Sequence, residues 1–229
     1  MEFRNVMIKW IVAIKYKVDQ PRDALRLYWI EKHAPLALEL PGLKRYRQSH
    51  RVLGEEDIGN APYDGFGSLW FEDEAAAKQA LASPQMAALK ADAEHFADTA
   101  GTRQVLAREV VMRDAPEPDD ALKLVTFNYR KPGLSPPLFQ DYWENKHGPL
   151  VLRNFVALRR YVQNHASASC YESGAEPDFD GVLEAWLESF EAFSAGEGTP
   201  EHDAMRADEG NFLDPDRFRF MLVRDKVFR

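Results

Sequence analysis

Cysteine is almost absent from this sequence, since Cys170 is the single one among 229 residues. One cysteine excludes an internal disulfide and any metal site built from several cysteines, and it is typical of proteins in a reducing compartment. We therefore expect a cytoplasmic protein. A nucleophilic role for Cys170 is disfavoured, because the first half of the duplicated chain described below has no matching cysteine.

Long hydrophobic runs and basic clusters are also missing. No stretch approaches the roughly 20 apolar residues of a membrane span, and the apolar run at 10–14 is too short for an export signal and is flanked by lysines. The formal net charge is −8, whereas surfaces that bind nucleic acid or anionic membranes are basic. We expect neither nucleic acid nor a membrane as partner.

Signals for metals and nucleotides are lacking as well. No two histidines are four residues apart, the spacing of a helical zinc site, and no glycine-rich phosphate loop occurs. We therefore expect no metal and no cofactor. With 45% apolar and 29% charged residues, the composition is that of an ordinary globular protein.

What the sequence does contain is an internal repeat. The matched segments are Tyr28–Leu36 with Tyr142–Leu150, Leu43–His50 with Leu158–His165, and Asp64–Trp70 with Asp180–Trp186. The offsets drift by only two residues (147 − 33 = 114, 165 − 50 = 115, 186 − 70 = 116), so the chain is a tandem duplication. We predict two units, repeat one at residues 1–115 and repeat two at residues 116–229, each large enough for its own core.

Each repeat reads strand, helix, strand, strand, helix, strand. Apolar and β-branched residues at 6–16 and 122–129 predict the first strands. Side chains alternate with a period of two over 43–50, which indicates a strand with one face made of Tyr46, Gln48 and His50. Further predicted elements are a first helix that begins at Ser135-Pro136 in repeat two, a helix at 72–82, a strand at 105–112 and an exposed acidic connector at 113–121.

A β-α-β-β-α-β unit is the ferredoxin-like arrangement, an antiparallel sheet with helices on one face. Its other face needs a partner, and a duplicated chain supplies a second sheet of the same kind. We therefore predict an α+β fold in which two ferredoxin-like repeats form an intramolecular dimeric α+β-barrel, a pseudo-dimer. A homodimer of such pseudo-dimers is left open, because the outer helices could still meet another chain.

The repeated residues resemble the EthD-like family of the dimeric α+β-barrel superfamily, whose pattern is Tyr-Trp, His-x-Pro-Leu, Pro-Gly-Leu-x-x-Tyr and an Asp-Gly before a strand with Trp. Here the pattern reads Tyr28-Trp29, His33-Ala-Pro35-Leu36, Pro41–Tyr46 and Asp64-Gly65, then Tyr142-Trp143, His147-Gly-Pro149-Leu150, Leu158–Tyr161 and Asp180-Gly181. Repeat two departs from it by carrying Val156-Ala157 in place of Pro-Gly.

The resemblance implies the barrel fold and a ligand site between each sheet and its helices. Relatives in the family act in the degradation of ether-type and other xenobiotic compounds, or as fungal decarboxylases and dehydratase-like enzymes on aromatic polyketides. Other families of this barrel bind haem, but this sequence has no distinctive haem ligand. Fold alone does not fix an activity.

Two groups of side chains in each repeat are candidates for a site. Tryptophan and histidine lie four residues apart on the predicted helix and so share a face, while tyrosine, glutamine and histidine share a face of the next strand. The catalytic candidates are His33, His50, Tyr46, His147, His165 and Tyr161, and the substrate-binding candidates are Tyr28, Trp29, Gln48, Tyr142, Trp143 and Gln163. Histidines near neutrality and a tyrosine hydroxyl suit proton transfer on an enolisable or phenolic substrate held by aromatic rings.

Structural explanations stand beside these roles. His33 and His147 would also serve by bonding local backbone at a helix kink before Pro35 and Pro149, and buried tryptophans usually serve packing. The remaining interpretations are a strand-end cap for His50 and His165, core for Trp70 and Trp186, turns for Asp64-Gly65 and Asp180-Gly181, and surface for His95 and His202.

These residues predict a cofactor-independent enzyme of aromatic, polyketide-like or xenobiotic small-molecule metabolism. The favoured chemistry is a lyase reaction by proton transfer, a decarboxylation or dehydration, with isomerisation or cyclisation next. The alternatives are a non-catalytic ligand-binding accessory protein for a catabolic oxygenase and a structural barrel with degenerate pockets. Repeat two is favoured as the active one, because Cys170-Tyr171 stand where repeat one has acidic residues at 54–57, which would repel an anionic substrate. Gly148 in place of Ala34 is a further difference.

Overall fold

The computed structural model describes residues 7–229, so residue 6 of the predicted first strand lies outside the described part. Repeat one contains β1 Ile8–Ile14, α1 Arg22–Tyr28, α2 Ala34–Leu38, β2 Arg45–Arg51, β3 Gly65–Phe71, α3 Glu74–Leu81, α4 Pro84–Ala93 and β4 Arg103–Arg113. Repeat two contains β5 Leu122–Asn128, α5 Pro136–Tyr142, α6 Gly148–Asn154, β6 Leu158–Ala166, β7 Gly181–Leu187, α7 Phe190–Gly196, α8 Pro200–Glu209 and β8 Arg219–Val227. Five-residue π-helical turns, Trp29–His33 and Trp143–His147, join α1 to α2 and α5 to α6.

The second helical region of each repeat consists of two helices. In repeat one, the sequence predicted the first of them, α3, but not α4. A serine or threonine followed by proline starts the additional helix, because Ser83 accepts a hydrogen bond from the N–H of Met86 and Pro84 occupies the first turn. Thr199 caps α8 in the same way. Proline fits the first helical turn, where its missing N–H costs nothing.

All eight strands close into one antiparallel barrel in the order β1-β3-β2-β8-β5-β7-β6-β4. The repeats meet at two seams, where β2 pairs with β8 and β4 pairs with β6; His50 lies opposite Arg224 and His165 opposite Arg108. The predicted intramolecular dimeric α+β-barrel is therefore confirmed. Closure pairs the strand edges that an open sheet would leave exposed.

The interior of the barrel contains a layer of buried ionic groups, which the sequence did not predict. We call this the charged layer; it consists of Lys9, Arg47, Glu109, Lys123, Glu184 and Asp225. Lys9 Nζ lies 2.5 Å from Glu184 Oε1, and Lys123 Nζ lies 2.6 Å from Glu184 Oε2. Glu184 is fully buried, and its two carboxylate oxygens each pair with one of the matched lysines of the repeats.

The two matched tryptophans Trp70 and Trp186 are 1% and 3% exposed, and both lie in the charged layer. Lys9 Nζ is 4.5 Å from the Trp70 ring centroid and Lys123 Nζ 4.6 Å from that of Trp186. They are therefore buried, as predicted, but they pack against cations. Below them the barrel is filled by apolar side chains such as Phe127.

The connector between the repeats is mostly exposed, yet one of its residues enters the barrel. Glu117 accepts hydrogen bonds from Arg47 and from Arg45 Nη2, the latter at 3.0 Å. Arg160 Nη2 lies 2.8 Å from the other carboxylate oxygen of Glu117. The connector thus neutralises the arginines at this end of the charged layer.

Candidate functional site

Each repeat encloses a cavity between its sheet and its helices. The larger cavity, in repeat two, has a volume of about 490 Å³ and is lined by Trp143 and His147 among others. The smaller cavity, in repeat one, has a volume of about 320 Å³ and is lined by Trp29, His33 and Tyr46 among others. The structure therefore places the predicted helical Trp-His pair of each repeat in a cavity wall.

A π-helical turn lies just before the matched proline of each repeat, Pro35 or Pro149, and positions the Trp-His pair. Pro35 has no N–H and cannot continue the α-helical hydrogen bonds, and the Trp29 carbonyl instead accepts from the N–H of Ala34. It also accepts from Gln48 Nε2 at 3.0 Å. In repeat two the Trp143 carbonyl accepts from Gln163 Nε2, also at 3.0 Å. Such π-turns are frequent at functional sites.

The glutamines predicted to bind substrate thus donate hydrogen bonds to the backbone of the π-turns and do not line either cavity. Gln48 Nε2 also donates to the Tyr46 hydroxyl at 2.8 Å, and Gln163 Nε2 donates to the Tyr161 hydroxyl at 2.8 Å. Tyr46 lines the smaller cavity, whereas Tyr161 is fully buried behind the wall of the larger one. These contacts support a positioning role for the glutamines.

Each helical histidine is paired with an aspartate. His147 Nδ1 lies 2.9 Å from Asp208 Oδ2, and Asp208 Oδ1 accepts a 2.8 Å hydrogen bond from the Tyr142 hydroxyl. The carboxylate can only accept, so Nδ1 carries the proton and Nε2 keeps its lone pair. The predicted Tyr142 acts here on the aspartate and does not line the cavity.

Repeat one builds the same triad. His33 Nδ1 lies 2.7 Å from Asp92 Oδ2, and the Tyr28 hydroxyl donates to Asp92 Oδ1 at 2.8 Å. These histidines therefore bond a side-chain carboxylate, and not the local backbone as the structural explanation proposed. Burial lowers the pKa of His33 below its usual value, although the hydrogen bond to Asp92 opposes the change.

Burial also lowers the pKa of His147, again against the opposing effect of Asp208. The imidazole is therefore neutral at pH 7, with an unprotonated Nε2. Asp208 would stabilise the imidazolium formed when Nε2 takes up a proton. Chemically, the dyad is suited to act as a general base.

Sequence reasoning missed both aspartates, although the repeat contains a signal for them. Asp92 and Asp208 are matched at an offset of 116 (208 − 92), as are Phe96 and Phe212 (212 − 96). Phe212 packs against His147 with ring centroids 4.8 Å apart. Extending the comparison of the repeats into their last helices would have found all four residues.

The strand histidines His50 and His165 are 2% and 0% exposed, and neither lines a cavity. Each packs on the tryptophan of its repeat, with ring centroids 4.8 Å apart for Trp29 and 4.7 Å apart for Trp143. Burial lowers the pKa of each histidine to about 3. These positions support a packing role for neutral imidazoles.

Gly65 and Gly181, at the start of β3 and β7, leave room for the rings of Trp29 and Trp143. The Asp-Gly pairs were predicted only as turns, so this packing is an additional role. A Cβ added at Gly181 would overlap the ring of Trp143, and one added at Gly65 would lie 3.0 Å from Trp29 Cζ3. The preceding Asp180 accepts a 2.9 Å hydrogen bond from the N–H of Arg130. The glycines therefore determine how closely each tryptophan ring packs against the sheet in the cavity wall.

We expect Gly181→Ala to destabilise the protein by about 1–3 kcal/mol, the usual cost of overpacking a core. Trp143 would have to move, and its fluorescence should shift with it. Urea unfolding and tryptophan emission measure the two effects. Gly196→Ala is the control, because an added Cβ there meets nothing within 4 Å; an equal loss of stability in both variants would contradict the packing explanation.

No metal or membrane feature stands out in the part of the chain that the structure describes. Within residues 7–229, no three His, Cys, Asp or Glu side chains come together in a way that could hold a metal ion. The helices of the same residues include none with the length and apolar character required to cross a bilayer.

Comparisons with known proteins place these features in a family. A search of curated proteins gives no match. Among solved structures, an anthrone oxidase-like protein is 12% identical, with a TM-score of 0.66 over 98% of this chain and 94% of that one. A chlorite dismutase variant from Candidatus Nitrospira defluvii is 11% identical, with a TM-score of 0.52 over 97% and 92% of the two chains. At these identities the likeness shows the fold alone.

A third structure, an ethyl tert-butyl ether d family protein from Bacillus halodurans, is 22% identical and covers 45% of this chain and 99% of its own, with a TM-score of 0.39. The sequence profile of the EthD domain matches twice, at residues 17–100 and 131–216. Together these segments span well over half of the chain and include both Trp-His pairs and both aspartates. The chain belongs to the EthD domain family.

Proposed function

We propose that this protein is an enzyme that catalyses cofactor-independent proton transfer on a small planar substrate of aromatic or polyketide-like character. The observation that carries the proposal is that His147 lies in the wall of the larger cavity and is paired through Nδ1 with Asp208. Lyase reactions, decarboxylation or dehydration, are the first choice, and isomerisation or cyclisation comes next, because all begin or end with a proton moved at carbon or oxygen.

The walls of the larger cavity support a planar apolar substrate. Trp143, Phe193, Phe212 and Phe218 line it, and aromatic rings bind flat ligands and keep water away from a reacting centre. A volume of about 490 Å³ lies within the usual range for small-molecule sites. We extend the proposal to fused aromatic ketones and phenols, because these aromatic walls suit flat ring systems of that kind.

In this proposal each member of the triad has a role. His147 Nε2 accepts a proton from an acidic C–H or O–H of the substrate, while Asp208 fixes the tautomer and stabilises the imidazolium. The Tyr142 hydroxyl bonds the second carboxylate oxygen and holds Asp208 in place. Tyr28, Asp92 and His33 offer the same arrangement to the smaller cavity.

The proposal is tested with 2-tetralone, a bicyclic ketone with exchangeable α-protons, in D₂O, with deuterium incorporation followed by NMR. We expect the wild-type protein to accelerate exchange above the buffer rate and His147→Ala to lower kcat roughly 10²–10⁴-fold, the usual contribution of a positioned base. His33→Ala measures the share of repeat one.

Arg159→Ala serves as the control, because the Arg159 side chain is 62% exposed and lies outside both cavities. It should leave the exchange rate unchanged. Wild-type exchange at the buffer rate despite bound 2-tetralone would refute the enzyme proposal in favour of a ligand-binding accessory protein. Unchanged rates in folded His147→Ala and His33→Ala would equally remove the dyads from the mechanism.

A further inference from the structure

The two cavities differ in charge at a position that corresponds between the two repeats. Glu209, the last residue of α8, lines the larger cavity. Its counterpart at an offset of 116 (209 − 93) is Ala93, the last residue of α4, which lines the smaller cavity. The repeats therefore place a carboxyl group in one cavity wall and a methyl group in the other.

The first strand of each repeat differs in the same sense. Thr126 and Asn128 of β5 line the larger cavity, whereas the matched residues of β1, Val12 and Ile14, line the smaller one. The Thr126 hydroxyl donates to Asn128 Oδ1 at 2.8 Å. This bond orients the Asn128 amide and leaves Nδ2 as a donor for a substrate oxygen. The larger cavity thus combines polar groups from the sheet and from α8.

Glu209 sits in surroundings that favour a neutral carboxyl group. Its side chain is 18% exposed, and its Oε1 accepts a 2.6 Å hydrogen bond from Arg206, which is itself 45% exposed. Burial raises the pKa of Glu209 to about 7, against the opposing effect of Arg206, and Asp208 raises it further. The negative end of the α8 dipole acts in the same direction.

Other ionisable groups also face this region. His147 comes from the π-turn, Glu197 follows α7, Glu201 and His202 come from α8, and all four line the larger cavity. Burial raises the pKa of Tyr161 in β6, and the charge of Glu209 adds to this effect. Because His147 is neutral and Tyr161 stays protonated, Glu209 is the group best placed to give up a proton near neutrality.

We propose that Glu209 is the second acid–base group of the larger cavity, working with His147, and that Asn128, oriented by Thr126, donates a hydrogen bond to the substrate oxygen. This inference rests on the proposed function and assigns proton transfer to repeat two. The smaller cavity has Ala93, Val12 and Ile14 at the matched positions, so it retains a base but has no carboxyl group at the position that matches Glu209.

The step balances without an oxidant or a cofactor. For an enolisable ketone, His147 Nε2 takes the α-proton, and the C–H electron pair becomes the carbon–carbon double bond. The carbonyl π pair takes the proton of Glu209, which gives the enol, a Glu209 carboxylate and an imidazolium. The imidazolium proton then exchanges with the solvent, a deuteron in D₂O. Return of that deuteron from His147 to carbon and of the hydroxyl proton to Glu209 restores both groups and leaves deuterium on the substrate.

Glu209→Gln tests the proton without changing the shape of the side chain. We expect kcat for 2-tetralone exchange to fall roughly 10²–10⁴-fold, as for loss of a general acid, while KM changes by less than about threefold. In the wild type the rate should fall at acid pH as His147 protonates and at alkaline pH as Glu209 ionises. Glu209→Gln should lose the alkaline decline, which a merely structural role would not remove.

Glu188→Gln is the control, because Glu188 is 56% exposed and lies outside both cavities; it should keep both the rate and the pH profile. An independent readout is the ¹³C NMR titration of protein labelled at the glutamate carboxyl carbon, with Glu209 assigned by the signal absent in Glu209→Gln. We expect a midpoint near neutrality; a midpoint near the ordinary value of about 4.5 overturns the inference.

The outcomes separate this inference from the proposed function. If His147→Ala abolishes exchange while Glu209→Gln keeps the wild-type rate and pH profile, the inference fails and the proposed function stands. If neither dyad histidine affects exchange, the proposed function fails and takes the inference with it. Equal losses in His33→Ala and His147→Ala would also overturn the assignment of catalysis to repeat two.

Discussion

Replacing Glu184 with glutamine is expected to lower the free energy of unfolding by about 3–5 kcal/mol, the usual cost of breaking a buried ion pair. Burial raises the pKa of Glu184, but Lys123, Lys9 and Arg47 outweigh this and hold the pKa well below its usual range. The carboxylate is therefore charged at pH 7, and its loss leaves Lys9 and Lys123 buried with too little negative charge. Urea unfolding at pH 7.5 measures the difference.

Two further variants make this test specific. Glu188→Gln breaks an exposed pair with Arg159, whose side chains are 56% and 62% exposed, and should cost less than about 1 kcal/mol. Combining Glu184→Leu with Lys123→Met removes one charge of each sign and should recover part of the loss, since buried pairs are often replaceable by apolar residues. A cost below about 1 kcal/mol for Glu184→Gln would show that the charged layer is not a stabilising unit.

The protein is expected to lose stability steeply as the pH falls below about 6.5, because His50 and His165 bind protons in the unfolded chain but stay neutral in the folded one. Burial lowers the pKa of each to about 3 in the folded state, against about 6.5 in an unfolded chain. Their contribution is complete above pH 6.5 and is lost progressively down to pH 3. At one pKa unit per 1.36 kcal/mol, each should cost roughly 2 kcal/mol at pH 5.

The double variant with His50→Leu and His165→Leu isolates this effect. Glu209 acts in the opposite direction, since its pKa is raised to about 7 in the folded state and it stabilises the fold as the pH falls from 7 towards 4.5. Comparing the pH dependence of wild type and double variant cancels that contribution. Between pH 7.5 and pH 5, the urea midpoint should fall further for the wild type than for the double variant. An equal fall in both proteins would mean that the imidazoles are not buried as neutral groups.

The repeated residues were enough to predict the barrel. Matched Trp-His pairs showed the duplication, strand and helix periodicity gave the order of elements, and a sheet with one bare face required a second sheet. Spacing also predicted that Trp29 and His33 share a helical face and that Tyr46 and Gln48 share a strand face. These are local consequences of the 3.6-residue and two-residue periods, which the chain carries wherever it is placed.

The partners of those faces were decided by the tertiary structure. Asp208 reaches His147 from a helix 61 positions later, and Glu209 faces the same cavity, although nothing in local periodicity distinguishes it from a solvated helix-end glutamate. The sequence could show that the side chains of Tyr46 and Arg47 point to opposite sides, but not which side would be covered by helices.

The charged layer is the largest difference between expectation and structure. Closure of the barrel brings Lys9 within 2.5 Å of Glu184, 175 positions away, and buries charges that a single sheet would expose to water. The duplication by itself determined that two ferredoxin-like sheets would pair. Only the closed barrel determined that Lys9, Arg47 and Glu184 form a buried ionic layer, because the desolvation of each charge depends on strands from both repeats.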